Sequence, residues 1–151
     1  MSLDVTAEIR IARRRDAVAA FAMEAENDPR WIGGISEVRR LTDPPTGPGT
    51  RVERVASFLG RRIEYVMEVV SYEPPARIEL RSVKGPFPMV VTYEFDERGE
   101  ATLARVRVRG SSDGFYRVTG PLLARAVGRS IARDVRNLRA LLEAGGDGAA
   151  G

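Results

Sequence analysis

Two tyrosines and one arginine are the side chains best suited to do chemistry in this sequence. Tyr65 and Tyr93 fall on the apolar phase of strand-like patterns, where a buried hydroxyl needs a partner and a ligand carbonyl could be one. A tyrosine could also protonate an enolate, although a pKa near ~10 makes it a weak acid. Arg54 shares a strand face with Val52 and Phe58. If that face is buried, the guanidinium could bind a carboxylate or polarise a carbonyl. The opposite phase stays open, because buried charges are rare unless paired.

Large apolar residues are the other candidates for contact with a ligand. Trp31, the only tryptophan, could stack on a ring or an acyl chain, or it could be a core aromatic that anchors a short helix. Phe87 and Met89 are further candidates for the pocket or its mouth. A methionine side chain adapts to irregular apolar ligands, but ordinary core packing also accounts for each of these apolar candidates taken singly. The predicted ligand-binding set is Trp31, Arg54, Phe58, Tyr65, Met67, Tyr93, Phe95 and Phe115.

The composition excludes several kinds of chemistry. The chain has no cysteine and no histidine, which removes disulfides, thiol catalysis, thiolate metal sites, and any general base or haem ligand built on imidazole. No carboxylate spacing predicts a metal site, and we expect no cofactor. No run approaches the ~20 apolar residues that membrane insertion requires. The N-terminus alternates like a strand rather than a signal peptide, so the expected location is the cytoplasm.

The charge pattern indicates a solvated surface rather than a nucleic-acid partner. The formal net charge is +3 over 151 residues, and the cations are interleaved with acids. The outward arginines between residues 105 and 109, and the basic face of the last predicted helix, lack the interleaved aromatics of single-strand binders. We expect cross-strand partners such as Glu64, Glu68 and Glu79 for these arginines. A homodimer stays open as a possible assembly.

Strands predominate among the elements that must position the candidate residues. Their alternating hydrophobic patterns are bounded by short turns, so we expect an antiparallel meander. The predicted strands are 4–12, 36–41, 51–58, 61–72, 77–83, 88–95 and 101–109.

Two short helices separate the first and second strands. An amphipathic pattern predicts the first at 17–23. The second has Asn27 or Asp28 as its N-cap and Pro29 at its first helical position, and it ends before Gly33.

A long amphipathic helix between 115 and 143 completes the chain. Arginines fall largely opposite its apolar stripe, which runs through Val118, Leu122, Val127, Ile131, Val135, Leu138 and Leu142. Only this helix can cover the apolar face of a seven-stranded sheet, and it cannot fill the concavity alone. We therefore predict an α+β fold with a pocket between the helix and the sheet, in one domain over 1–144 with a flexible tail at 145–151.

Eight segments carry a resemblance to a known family: 18–21, 27–31, 47–51, 60–64, 72–75, 85–88, 101–103 and 137–143. Together with this order of elements, they resemble the START/Bet v 1-like superfamily, in particular its bacterial polyketide cyclase/dehydrase-like group. The resemblance covers almost the whole chain and implies the helix-grip fold, in which a seven-stranded curved antiparallel sheet wraps around the C-terminal helix. It also implies binding of hydrophobic molecules such as lipids, steroids, hormones or polyketides.

Three functions stay open at this point. The first is binding of a small hydrophobic molecule in the pocket. The second is a cyclase or dehydratase that uses tyrosine and arginine in the same pocket, since histidine and cysteine are absent. The third is contact with a protein or an RNA through the basic outer face.

Overall fold

Seven strands and three α-helices make up residues 2–111 and 120–145, which are the residues described by the computed structural model. A short 3₁₀ turn, Ala25–Asn27, precedes the second helix. In chain order the elements are β1 (Ser2–Ile11), α1 (Arg15–Ala22), α2 (Asp28–Trp31), β2 (Ile35–Arg40), β3 (Arg51–Phe58), β4 (Arg61–Glu73), β5 (Arg77–Lys84), β6 (Met89–Arg98), β7 (Ala101–Ser111) and α3 (Gly120–Ala144).

The strands form one antiparallel sheet in the order β1-β7-β6-β5-β4-β3-β2. Consecutive strands from β2 to β7 are neighbours, as short turns require. β1 pairs with β7 in an unbroken register from Ser2 opposite Ser111 to Ile11 opposite Thr102. The two short helices carry the chain from one edge of the sheet to the other. The predicted α+β helix-grip architecture is confirmed.

The buried stripe of α3 packs on β1, β7 and α2. Val127, Ile131 and Val135 are buried, as their spacing predicts. The predicted stripe is wrong at one position, because Leu123 is buried while Leu122 is 52% exposed. The predicted residues Val118 and Phe115 lie outside the described part of the chain, as does the tail beyond Gly145.

The two ends of the sheet differ in what closes them. At one end the C-terminus of α3 is fixed, because Arg13 Nη1 donates a hydrogen bond to the Leu142 carbonyl over 2.7 Å. The opposite end carries the β3–β4 turn at Leu59-Gly60, the β5–β6 connection at 85–88 and the start of α3 at Gly120. We call this second end the mouth end.

Ion pairs cover the convex face of the sheet. Arg109 pairs with Glu79 over 3.3 Å, as the sequence predicts. Arg105 and Arg107, the other two outward arginines of β7, pair with acids of β1 and β6. The predicted partners Glu64 and Glu68 pair elsewhere, with arginines of β3, β4 and β5. Arg105 and Arg107 thus find their partners on the strands that flank β7, whereas Arg109 reaches past β6 to Glu79 on β5.

Candidate ligand-binding cavity

A cavity of about 130 Å³ lies between the concave face of the sheet and α3. Apolar side chains make up most of its wall, among them Ile63, Val91, Val106, Val127 and Ile131. The volume is close to the ~150 Å³ that holds one benzene molecule in an engineered apolar cavity. The enclosed part of the site therefore accommodates one six-membered ring or a short acyl segment.

The two-residue period of the strands builds this wall. On β3 the inward phase is Arg54, Ala56 and Phe58, and the facing strand β4 contributes Ile63 and Tyr65. Arg54 lies directly opposite Tyr65 in the β3–β4 ladder. A charged group and a phenol are thus brought side by side in a largely apolar surface.

Five of the eight predicted ligand-binding residues line the cavity: Trp31, Arg54, Phe58, Tyr65 and Tyr93. Phe87 and Met89 also line it. The other three predicted residues are not part of the described lining. Met67 and Phe95 are fully buried in the core beyond it, and Phe115 falls outside the described residues.

Arg54 points inward, which settles the strand phase that the sequence left open. Its side chain is nearly inaccessible, with 4% of the residue surface exposed. The Nε and Nη2 atoms donate to the same carboxylate oxygen, Asp28 Oδ2, over 2.9 and 2.8 Å. Asp28 is equally buried, so the two charges neutralise each other inside the protein. The carboxylate expected for an inward arginine is therefore supplied by this chain.

Asn27 is the N-cap residue of α2, one of the two positions that the sequence predicts, but the cap lacks a side-chain hydrogen bond. Neither Asn27 nor Asp28 caps α2 with its side chain, although Pro29 does occupy the start of the helix. The Asn27 amide instead donates to the Phe21 carbonyl over 3.1 Å. The pattern Asn-Asp-Pro is typical of a helix start, and it masked the role of Asp28 as the counter-ion of Arg54.

Burial dominates the electrostatics of the pair. It raises the pKa of Asp28, and the nearby guanidinium of Arg54 offsets only part of that effect. For Arg54, burial is the largest single effect and acts to lower the pKa, but the combined effects of Asp28, Tyr93 and Tyr65 outweigh it, so the pKa is raised well above its ordinary value. The guanidinium therefore stays charged.

Both cavity tyrosines stay protonated. Burial raises the pKa of Tyr65 and of Tyr93, and the positive charge of Arg54 lowers both in part. A protonated phenol can donate a hydrogen bond to an oxygen of a bound molecule. Tyr93 also packs edge to face against the indole of Trp31, with ring centroids 5.4 Å apart.

Trp31 is both a core anchor and part of the cavity wall. It is 1% exposed, and its carbonyl accepts a hydrogen bond from the amide of Asn137 on α3 over 3.1 Å. The indole Nε1 is buried, and it has no hydrogen-bond partner among residues 2–111 and 120–145. Buried polar groups are nearly always hydrogen-bonded, so this N–H is an exception that needs an explanation.

Asp134 of α3 is a lining residue that was not predicted from the sequence. Its carboxylate accepts a hydrogen bond from the Gly33 amide over 3.0 Å, which ties α3 to the turn after α2. Burial raises its pKa, and the Gly33 N–H offsets part of the shift. The signal was available, because an acid that lies between Ile131 and Val135 sits on the apolar stripe.

The described residues contain no group of three acids, histidines or cysteines that could hold a metal ion. Nor is any helix described there long and apolar enough to cross a bilayer.

The sequence matches the family described as "Polyketide cyclase / dehydrase and lipid transport" over residues 2–143. The match spans nearly the full chain and includes every strand and helix described above, except for the last residue of α3. The chain belongs to this family. The description covers conversion of polyketides and transport of lipids, and both activities begin with binding of a hydrophobic molecule. No curated protein sequence matches the chain.

Solved structures share the fold of this family member at low sequence identity. The Zhui aromatase/cyclase from Streptomyces sp. R1128 is 15% identical, with a TM-score of 0.81 and coverage of 96% of each chain. A START superfamily protein from Mycobacterium smegmatis is 15% identical, with a TM-score of 0.82 and coverage of 93% of this chain and 97% of that one. The ginseng major latex-like protein 151 from Panax ginseng is 16% identical, with a TM-score of 0.75 and coverage of 93% and 97%.

Proposed function

We propose that this member of the polyketide cyclase / dehydrase and lipid transport family binds a small, uncharged hydrophobic molecule that carries a hydrogen-bond-accepting oxygen. The observation that carries the proposal is the buried indole N–H of Trp31, which faces no acceptor among the described residues although Trp31 lines an apolar cavity. Leaving a buried donor unsatisfied costs about 1–3 kcal/mol. A ligand oxygen would remove that cost on binding.

The other polar groups of the cavity support an acceptor on the ligand. Tyr65 and Tyr93 are held in their protonated form, so each can donate to the same or a neighbouring oxygen. Arg54 already has its carboxylate in Asp28. A ligand carboxylate would therefore be buried without a free counter-ion, which is unfavourable. A ketone, a quinone or an ester fits this arrangement better than an acid does.

Calorimetric titration with three ligands of one skeleton tests the proposal. Acetophenone, ethylbenzene and benzoate each place a single ring in the cavity, in keeping with its volume of about 130 Å³. We expect the ketone to bind about tenfold more tightly than the hydrocarbon, because it satisfies one buried donor, and we expect benzoate to bind most weakly.

The variant Trp31→Phe keeps one aromatic ring and removes the N–H donor together with the second ring of the indole, which enlarges the cavity for all three ligands. The readout is therefore the ratio of the ketone and hydrocarbon affinities within each protein, and the variant should reduce that ratio. Equal affinities for all three ligands in the unmodified protein would contradict the proposed role of the donors. So would an unaltered ketone preference in the variant.

The second candidate function is a cyclase or dehydratase of the polyketide type that works in the same cavity. It is favoured by the proximity of a charged guanidinium, Arg54, to two protonated phenols. The guanidinium could polarise a carbonyl while the lining carboxylate of Asp134 takes the α-proton. The enolate carbon would then attack a second carbonyl of the substrate, and Tyr65 or Tyr93 would protonate the alkoxide that forms. Dehydration would remove a second α-proton to a base and release the β-hydroxyl, protonated by a tyrosine, as water.

Mass spectrometry distinguishes this enzyme from a binding protein. Incubation with a short poly-β-ketone thioester should yield a product that has lost one water. In an enzyme, Tyr93→Phe should lower kcat by about 10²-fold or more, as expected for loss of a general acid, with little change in KM. A binding protein leaves the thioester unchanged beyond its rate of reaction in buffer.

A further inference from the structure

The tip of the β3–β4 hairpin carries a residue that its backbone geometry disfavours. Leu59 and Gly60 form the two-residue turn, and both have positive φ, 51° and 76°. Hairpins of this kind prefer Asn-Gly or Asp-Gly, because a bulky side chain with positive φ is strained. Leu59 is the sole non-glycine residue with positive φ in the described part of the chain. Its side chain is also 45% exposed, so the strain is not offset by burial in the protein.

Exposed apolar side chains concentrate at the same end of the sheet. Of the five large hydrophobic residues that are exposed in the described part of the chain, Leu59, Val83 and Leu122 lie at or next to the mouth end. Phe58, which precedes Leu59, lines the cavity. Apolar side chains thus continue from the inside of the cavity to the surface around it.

Three positive charges at the mouth end have no acidic partner among residues 2–111 and 120–145. Lys84 ends β5, while Arg125 and Arg129 lie on the exposed face of the first turns of α3. None of the three pairs with a carboxylate within 4 Å among the described residues. The acid nearest the hairpin tip in sequence, Glu64, is already paired with Arg62. Among the described residues of the mouth end, these cations therefore have no acid to balance them.

We propose that the mouth end docks on the surface of an anionic phospholipid bilayer. Leu59 and Leu122 enter the interface, and the cations around them bind the phosphates and carboxylates of the headgroups. An acidic protein would satisfy the charges, but it would not require exposed leucines at two separate tips. A bilayer satisfies both features at once. The docked orientation opens the cavity towards the hydrocarbon, so that a hydrophobic ligand can pass between the two without crossing water.

Vesicle sedimentation tests the docking by itself. The unliganded protein is mixed with vesicles of phosphatidylcholine alone, or of phosphatidylcholine with about a third phosphatidylserine. Each mixture is measured at several salt concentrations, because added salt shortens the Debye length. We expect binding to the anionic vesicles only, and we expect it to weaken as salt is added. No cavity ligand is present, so failure of this test leaves the proposed function untouched.

The informative variant is Leu59→Asn. Asparagine suits a positive φ, so the variant should fold at least as stably as the parent protein. We expect it to lower the affinity for anionic vesicles about tenfold, because an apolar side chain no longer enters the interface. Arg125→Gln should lower it about fivefold, as loss of one cation near the surface does. The matched control is Leu41→Asn, since Leu41 is 42% exposed at the opposite end of the sheet.

Three results would overturn the proposal. One is that the protein stays in the supernatant with both kinds of vesicle. Another is that Leu59→Asn and Leu41→Asn weaken binding equally. The third is a concentration-dependent dimer in analytical ultracentrifugation that Leu59→Asn abolishes, which would assign the mouth end to contact with a second copy of the chain.

Discussion

Removal of one member of the Asp28–Arg54 pair should be much more damaging than removal of both. In Asp28→Asn the guanidinium of Arg54 stays buried, with 4% exposure and no carboxylate. Breaking a buried pair in this way costs about 3–5 kcal/mol. For a domain of this length, ~1 kcal/mol shifts the melting temperature by about 2–4 °C, so we expect a fall of about 6–20 °C. The double variant Asp28→Asn/Arg54→Met leaves no buried charge and should recover most of the loss.

The pH dependence separates the two single variants. In Arg54→Met the Asp28 carboxyl loses its counter-ion, so its pKa, already raised by burial, rises further. A carboxyl whose pKa is higher in the folded state binds more protons there. Stability then falls as the pH rises from the ordinary aspartate value through the raised one. Arg54→Met should therefore regain stability on acidification, whereas Asp28→Asn should not, because a guanidinium does not lose its charge in this range.

Urea unfolding at pH 7 and pH 5, followed by circular dichroism, measures all four proteins of this cycle. The control is the exposed pair Arg39–Glu53, whose members lie 3.0 Å apart, and which should contribute no more than about 1 kcal/mol. Single variants that lose less than the control pair would refute the argument. So would a double variant whose loss equals the sum of the two single losses, since the two charges would then not be coupled.

Three further variants probe contacts around the cavity. Asp134→Asn keeps an acceptor oxygen and removes the carboxyl, whose pKa is raised by burial. The variant should therefore have a higher melting temperature at pH 7 but not at pH 3.5. A rise at both pH values would contradict this. Gly85→Ala places a Cβ 2.8 Å from that of Tyr65 and should cost about 1–3 kcal/mol in urea unfolding and weaken ketone binding in calorimetry. Unchanged values would show that the tyrosine moves freely. Thr102→Val removes a 2.7 Å hydrogen bond to the Arg13 carbonyl and should lower the free energy of unfolding in urea by about 1–3 kcal/mol. An unchanged free energy of unfolding would mean that water replaces the hydroxyl.

Most of the fold could be predicted because its signals are local. Alternating residues fix the strands, and the turn at Leu59-Gly60 fixes the register of β3 against β4. The error at Leu122 arose because two leucines adjoin at 122 and 123, and either can be assigned to the stripe at helical spacing. Tertiary packing against β1 and β7 decides in favour of Leu123.

The site was harder to predict, because its chemistry depends on contacts between distant parts of the chain. The sequence allowed Arg54 to point either way, since its inward orientation depends on Asp28, 26 positions earlier. The missing acceptor of the Trp31 indole is likewise a property of packing alone. The strand patterns assign Tyr65 and Tyr93 to the inward face, but they do not predict that the two phenols lie near the guanidinium.

Nitrogen-15 NMR of the Trp31 indole tests the central claim most directly. The chain has one tryptophan, so its indole N–H gives a single cross-peak that needs no assignment by mutation. Titration with acetophenone should move the indole proton downfield and slow its exchange with solvent, because the N–H gains an acceptor. Ethylbenzene should fill the same cavity without that downfield shift. If the peak responds equally to both molecules, or to neither, the indole does not recognise a ligand oxygen and the proposed function is wrong.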